Sequence, residues 1–226
     1  FLNEERNQQM SKLFILFLLM ASSFAYSQDK DYSYTYIELS VTESEDIGYI
    51  GFLSIKLPAI PIYFKGAMKE EEVESEKTIY KKTGQTITVG VHSSIADILN
   101  SVSKNGLSFN FGQFMDIYAE IGANEWELEN PSKLTETGTD AYAKAGLRIG
   151  DSDGWEYDLF FEKTRLAEVE FNPVTGVGEY QFAEETNDNL GIAVIKHFKN
   201  KIGFSLGFNN DDFSGSAISL GLRYSL

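Results

Sequence analysis

The sequence predicts an all-β protein, an antiparallel up-and-down transmembrane β-barrel of about ten strands, with about eight as the alternative count. Three observations predict it. Apolar and polar residues alternate with a period of two in segment after segment from residue 34 to residue 226. An export-type segment precedes the first of them. No later stretch is apolar enough for a membrane helix, so membrane residence is open to this chain only as a closed barrel.

The segments follow in order. Residues 34–41 set Ile37, Leu39 and Val41 against Tyr36, Glu38 and Ser40. Residues 49–57 set Tyr49, Leu53, Ile55 and Leu57 against Ser54 and Lys56, and Pro58 and Pro61 bracket a tight connection. Residues 62–69 carry Phe64 and Met68 opposite Tyr63 and Lys65. Residues 86–95 carry Ile87, Val89, Val91 and Ile95 opposite Thr88, Gly90, His92 and Ser94. In 115–128, Met115, Ile117, Ala119 and Ile121 oppose Asp116, Tyr118, Glu120 and Gly122.

Residues 141–150 place Ala143, Ala145, Leu147 and Ile149 against Lys144, Gly146 and Arg148. Residues 155–169 place Trp155, Tyr157, Leu159 and Phe161 against Glu156, Asp158 and Glu162. Residues 190–198 place Ile192, Val194 and Phe198 against Gly191, Ala193 and His197. The closing hairpin sets Ile202, Phe204, Leu206 and Phe208, then Ile218, Leu220, Leu222, Tyr224 and Leu226, against glycine, serine, asparagine and Arg223. An even count puts both chain ends on one side. Long polar connections at 70–85, 129–140 and 170–189 then fall on one rim, and short ones at 58–59, 151–154 and 199–201 on the other. Two connections depart from this: 42–48 is short and 96–114 is long, with a helical turn expected within 97–102.

Residues 10–27 read as a secretory signal peptide: Lys12, an apolar core from Leu13 to Met20, then small residues ending at Ser27. Residues 1–9 precede Met10 and read as an upstream extension, which leaves 28–226 as the barrel. The chain has no cysteine, so neither disulfides nor a thiolate metal site is available. Its net charge of −15 argues against nucleic acid, which needs a basic face. Two separated histidines do not suit a transition-metal site, and no cofactor is expected.

The polar faces carry charge of both signs. Glu38, Asp116, Glu120, Glu156, Asp158 and Glu162 share the inner phase with Lys56, Lys65, Lys144, Arg148 and Arg223. Buried charges without partners are costly, so this near-balance predicts a paired network that closes the lumen, with Arg223 meeting Glu38 at barrel closure. Solvated charge on an ordinary sheet face is the plain alternative. Tyr34, Tyr49, Tyr118, Trp126, Trp155, Tyr157 and Tyr224 lie near segment ends and suit interfacial girdles. Acids at Glu70–72, Glu74, Glu76, Glu168, Glu170, Glu184, Glu185, Asp211 and Asp212 collect near the outer rim. They serve solvation first, and bridging by divalent cations to anionic lipopolysaccharide second.

With Tyr34-Thr35-Tyr36-Ile37-Glu38-Leu39, Asp116–Gly122 and Ala145-Gly146-Leu147-Arg148 in place, the chain resembles the OmpA-like, porin-family small barrels of Gram-negative outer membranes. Its close is similar to their C-terminal assembly signal, carried by Ser219, Gly221, Tyr224 and Leu226. Such barrels usually end in an aromatic residue, where this chain has Leu226. The resemblance implies an outer-membrane location after signal cleavage. It also implies contact with outer-membrane lipid and lipopolysaccharide, and folding by the barrel-assembly machinery. His92 and Ser94 share a face in the His-x-Ser arrangement of barrel lipid A deacylases, but no orienting acid is assignable from sequence. The expectation is a non-enzymatic barrel, structural or surface-interacting. A small-solute porin is the alternative, ahead of a lipid A enzyme or a soluble secreted β-protein.

Overall fold

A computed structural model describes residues 32–43, 47–58, 60–75, 78–103, 114–129, 131–151, 153–171, 178–182, 186–211 and 215–226. Residues 10–27, expected to be a signal peptide, and residues 1–9, expected to be an upstream extension, lie outside them. The strands are β1 (Tyr36–Glu43), β2 (Ile47–Lys56), β3 (Ile62–Ser75), β4 (Thr78–Ser94), β5 (Met115–Glu129) and β6 (Thr135–Gly150). They continue as β7 (Trp155–Phe171), β8 (Gly178–Phe182), β9 (Asn187–His197), β10 (Ile202–Asp211) and β11 (Gly215–Ser225). A helix, α1 (Ile95–Val102), follows β4.

Every neighbour pair is antiparallel, β6 bonds β7, and β1 bonds β11, so the sheet closes on itself. β8 pairs only with the outer end of β7, at Ala167–Phe171, and the barrel wall therefore has ten strands. Closure leaves no free sheet edge around the wall. The expected count of ten and the up-and-down antiparallel order are the observed ones.

Alternation sorts the two faces. Leu39, Leu53, Phe64, Ile87, Ile121, Phe161, Leu206 and Leu220 all point outward and are exposed. A ring of exposed Leu, Ile and Phe on every side has no place in water, where contiguous apolar patches are small. It is the exterior of a transmembrane barrel. Going outward along the strands, the same phase turns polar at Glu70, Gln85, Glu125, Lys163 and Asn210, which marks the end of the apolar belt.

The rims correct the expected loops. Residues 70–85 are mostly strand, with β3 and β4 paired from Ile62↔Val91 to Ser75↔Thr78. Residues 129–140 include the start of β6, and 170–189 contain β8. Beyond the belt both faces of a strand are wet, so the apolar alternation that reveals a strand is absent while its hydrogen bonds continue. β3 to β7 thus form a tall wall of 14, 17, 15, 16 and 17 residues. β1, β2, β10 and β11 stop at 8, 10, 10 and 11.

The short inner turns are as expected. Leu57 N donates to Ile62 O (2.8 Å), Asp151 N to Trp155 O (2.8 Å) and Phe198 N to Ile202 O (2.8 Å). Lys201 takes a positive φ of 66° to close the last of these. The helical turn expected in 97–102 is α1, while 104–113 lie outside the described residues.

Candidate functional site

The candidate site is the lumen, and its packing begins with glycine. Tyr63 lies directly across from Gly90, Tyr118 from Gly146, Phe160 from Gly191, Trp126 from Gly138 and Tyr142 from Gly122. At each glycine an added methyl would overlap the opposing ring. The missing side chains let the rings lie flat on the neighbouring strand and fill the barrel interior. Tyr118 and Trp126 therefore belong to the lumen and not to an interfacial girdle. Tyr49, Trp155 and Tyr224 are outward and exposed, as a girdle requires, and Lys196 Nζ sits 5.0 Å over the Trp155 ring.

Tyr34 departs from expectation as well. Residues 32–35 precede β1 and cross the inner mouth as a strap. Tyr32 Oη lies 2.5 Å from Phe114 O and 2.8 Å from Gly150 O, and its one proton is shared between the two carbonyls. Tyr34 Oη donates to Asp116 Oδ2 (2.9 Å), and its ring stacks on His92 at 4.0 Å. Ser54 Oγ donates to Tyr34 O (2.7 Å), and the chain's last residue ties in through Leu226 N to Thr35 O (2.9 Å). Parity places Tyr32 and Tyr34 in the even-numbered lumen phase of Tyr36 and Glu38, but it does not mark the segment as a strap instead of strand.

Above the strap lies an arginine layer. Glu156, buried, accepts from Arg148 Nε at 2.7 Å and lies 2.9 Å from His197 Nε2 and 3.6 Å from Arg223 Nη1. Arg223 Nε donates to Glu38 Oε2 at 2.6 Å across the β1–β11 closure, where the two residues are directly opposed. Ser205 and Ser40 donate to the other Glu38 oxygen (2.7 and 3.2 Å). Arg148 also donates to Ser33 O (3.2 Å) and lies over the Tyr34 and Tyr32 rings at 4.5 and 5.0 Å.

Farther out, lysines replace arginines. Lys65 Nζ contacts both Glu120 oxygens (3.2 and 3.0 Å), and Oε1 also accepts from Tyr63 (2.8 Å). Lys144 lies 3.9 Å from Glu162 and 3.6 Å over the Phe160 ring. Register opposes Asp116, Arg148 and Asp158, and likewise Glu120, Lys144 and Glu162. Even so, Arg148 bonds diagonally to Glu156, and Asp158 accepts from Tyr118 instead (2.9 Å). Lys56 lies half-buried at the inner end of β2 and takes no part in the ion pairs of the described residues.

Between the two layers a cavity of about 30 Å³ remains, lined by Tyr34, Tyr63, Lys65, Glu120, Arg148 and Arg223 among others. A space of that size takes a few water molecules and no more.

The His92–Ser94 pair acquires an acid that the sequence did not offer: Asp116 Oδ2 lies 3.0 Å from His92 Nδ1. The serine is committed elsewhere, since its hydroxyl accepts from Asp97 N (3.1 Å) as the cap of α1. On the outer rim Glu70 pairs with Lys81 (2.9 Å) and Glu71 with Lys69 (2.6 Å). No group of three or more acids or histidines converges on a cation position among the described residues. Glu76, Glu184, Glu185 and Asp212 fall outside them. Of the terminal motif, Ser219 and Gly221 take the lumen phase, while Tyr224 and Leu226 face outward and are exposed.

A closed ten-stranded antiparallel wall, oily outside and ionic inside, defines a transmembrane β-barrel of the outer-membrane type. No family model matches the chain, and no curated protein does. Among solved structures it is similar to the KdgM porin, at 8% identity over 85% of this chain and 99% of that one, with a TM-score of 0.41. The NanC porin follows at 5% identity over 84% and 99%, TM-score 0.44. Neisserial surface protein A gives 8% over 87% and 100%, TM-score 0.40. Likeness at this level assigns neither family nor function.

Proposed function

We propose that the protein is a non-enzymatic outer-membrane barrel, structural or surface-interacting, whose lumen is closed to solutes by its own ion pairs and tyrosines. One observation carries the proposal: ion pairs and tyrosine hydrogen bonds cross the lumen in both layers, Arg148–Glu156, Arg223–Glu38, Lys65–Glu120 and Tyr63–Glu120, and the pocket between them is about 30 Å³. That leaves room for water and not for a hydrated solute. Outer-membrane residence is supported by the apolar exterior and by the export-type residues 10–27. Its partners are then the surrounding lipid and lipopolysaccharide, and the assembly machinery that reads Ser219, Gly221, Tyr224 and Leu226.

Planar-bilayer recording of the refolded protein tests closure. The expected trace is silent or shows rare small openings. A large, steady conductance would overturn closure and establish the small-solute pore. Gel migration of cold against boiled samples tests the barrel in membranes. A compact, heat-modifiable band from the outer-membrane fraction is expected, and identical migration with recovery from the periplasm would end the membrane assignment.

A further inference from the structure

We propose that α1 lies in the inner-leaflet interface of the membrane, with Ile98 and Leu99 embedded among the headgroups and adjoining acyl chains. This rests on the barrel spanning a membrane, and it assigns a lipid contact to an element that is not part of the barrel wall.

The helix begins abruptly at the base of β4, where the Ser94 hydroxyl accepts from Asp97 N at 3.1 Å. Among the described strands it packs mainly against the bases of β4 and β5. Helical spacing puts Ile95, Ile98 and Leu99 on one face and Asp97, Asn100 and Ser101 on the other. Ile98 and Leu99 are each 38% exposed, so the oily side of this helix is left partly open.

Two observations say what covers it. The helix is anchored beside the apolar exterior: Val91 on β4 and Ile117 on β5, outward residues near the bases of the two strands it packs against, are 49% and 43% exposed. The same lipid that covers them reaches the helix. The competing position, folded inward as a plug, is already taken, because Tyr32 and Tyr34 of the strap fill the inner mouth and bond Phe114 O, Gly150 O and Asp116.

The helix is too short to span a bilayer, and none of the described helices is long and apolar enough to do so. An amphipathic helix of that kind lies along the interface with its apolar side down. It carries an acid in its first turn and no base in its last, so attraction to anionic headgroups does not hold it there. Apolar burial does.

The test uses the full chain with Trp126 and Trp155 replaced by phenylalanine and one tryptophan introduced, at Ile98→Trp or, on the belt, at Leu206→Trp. Each is refolded into phosphatidylcholine vesicles whose acyl chains are brominated near the carboxyl end or near the methyl end. The I98W emission should lose most of its intensity with bromine near the carboxyl end and much less with bromine near the methyl end. Leu206→Trp should be quenched from within the chain region.

Full I98W emission that aqueous acrylamide quenches, with L206W still quenched by bromine, would overturn the interfacial helix and leave the barrel assignment intact. If neither responds to bromine, the membrane assignment fails and the helix proposal with it. Leu99→Trp carries the same readout should I98W fail to give the heat-modifiable band.

Discussion

The inner and outer halves of the lumen solve the same electrostatic problem differently. At the inner end the ion pairs are arginine–glutamate, and the Arg148 and Glu156 side chains are only 5% and 1% exposed. At mid-height they are lysine–glutamate, 13% and 4% exposed for Lys65 and Glu120. Near the rim Lys69 and Glu71 are 43% and 18% exposed. Exposure rises outward as the guanidinium gives way to the ammonium.

Their chemistry accounts for the order. A guanidinium is weakly hydrated and presents several donors in a fixed plane, so one group can serve two partners when water is gone. Arg223 does so with Glu38 and Glu156, and Arg148 with Glu156 and Ser33 O. An ammonium is strongly hydrated and is best kept where water remains within reach. On the proposed closure the inner half is the seal, and solvation begins toward the rim, where Lys69 and Glu71 lie.

The largest expected effect breaks the inner half. Glu156→Ala would leave Arg148, His197 and part of Arg223 without their shared acid, and removing one partner of a buried ion pair costs about 3–5 kcal/mol. The urea midpoint of the micelle-embedded barrel and the temperature at which its compact gel band disappears should both fall clearly. Replacing both Glu38 and Arg223 with methionine tests the closure separately. The double variant should lie nearer the parent than either single one, because neither buried charge is left alone. A double variant as unstable as the sum of the two would show that the seam pair is not coupled.

A middle-sized effect concerns how the rings are seated. A methyl at Gly90 would overlap the Tyr63 ring, which is buried and donates to Glu120 at 2.8 Å. Gly90→Ala should cost about 1–3 kcal/mol as overpacking, with Tyr63 driven off its acid. Gly66→Ala is the matched control, since its methyl would face outward and meet only Thr86 O at 3.9 Å. Equal stability of the two variants in the same urea series would mean the glycine–ring seats carry no packing constraint.

The legibility of the chain follows the same division. Within the belt the residue period and the physical period coincide, so the lumen phase of Glu38, Lys65, Asp116, Glu120, Lys144, Arg148, Glu156, Asp158 and Arg223 could be read directly. Three things could not. The outward continuation of β3 to β7 has two wet faces and no apolar alternation. The strap carrying Tyr32 and Tyr34 has the right parity but only its through-space bonds to Phe114 and Asp116 reveal that it is not strand. The acid beside His92 is another such case. Asp116 lies on the next strand, and it is register, not spacing in sequence, that brings the two within 3.0 Å.

The smallest expected effect lies outside the seal and sets the baseline for the rest. Lys163 and Asp188 face each other across β7 and β9 at 2.9 Å, a distance shorter than the Lys65–Glu120 contact. Distance alone would rank it among the strongest pairs. The two side chains are, however, 46% and 38% exposed, on the outward face beyond the apolar belt. Water and salt screen such a pair, and ordering two long side chains offsets much of its attraction, so Lys163→Ala should change stability by no more than about 0–1 kcal/mol. That small change should shrink further as salt is raised, whereas the loss from Glu156→Ala should persist because no counter-ion reaches it. A Lys163→Ala loss as large as that of Glu156→Ala would mean that burial does not govern these pairs, and the division into seal and solvated rim would have no energetic basis.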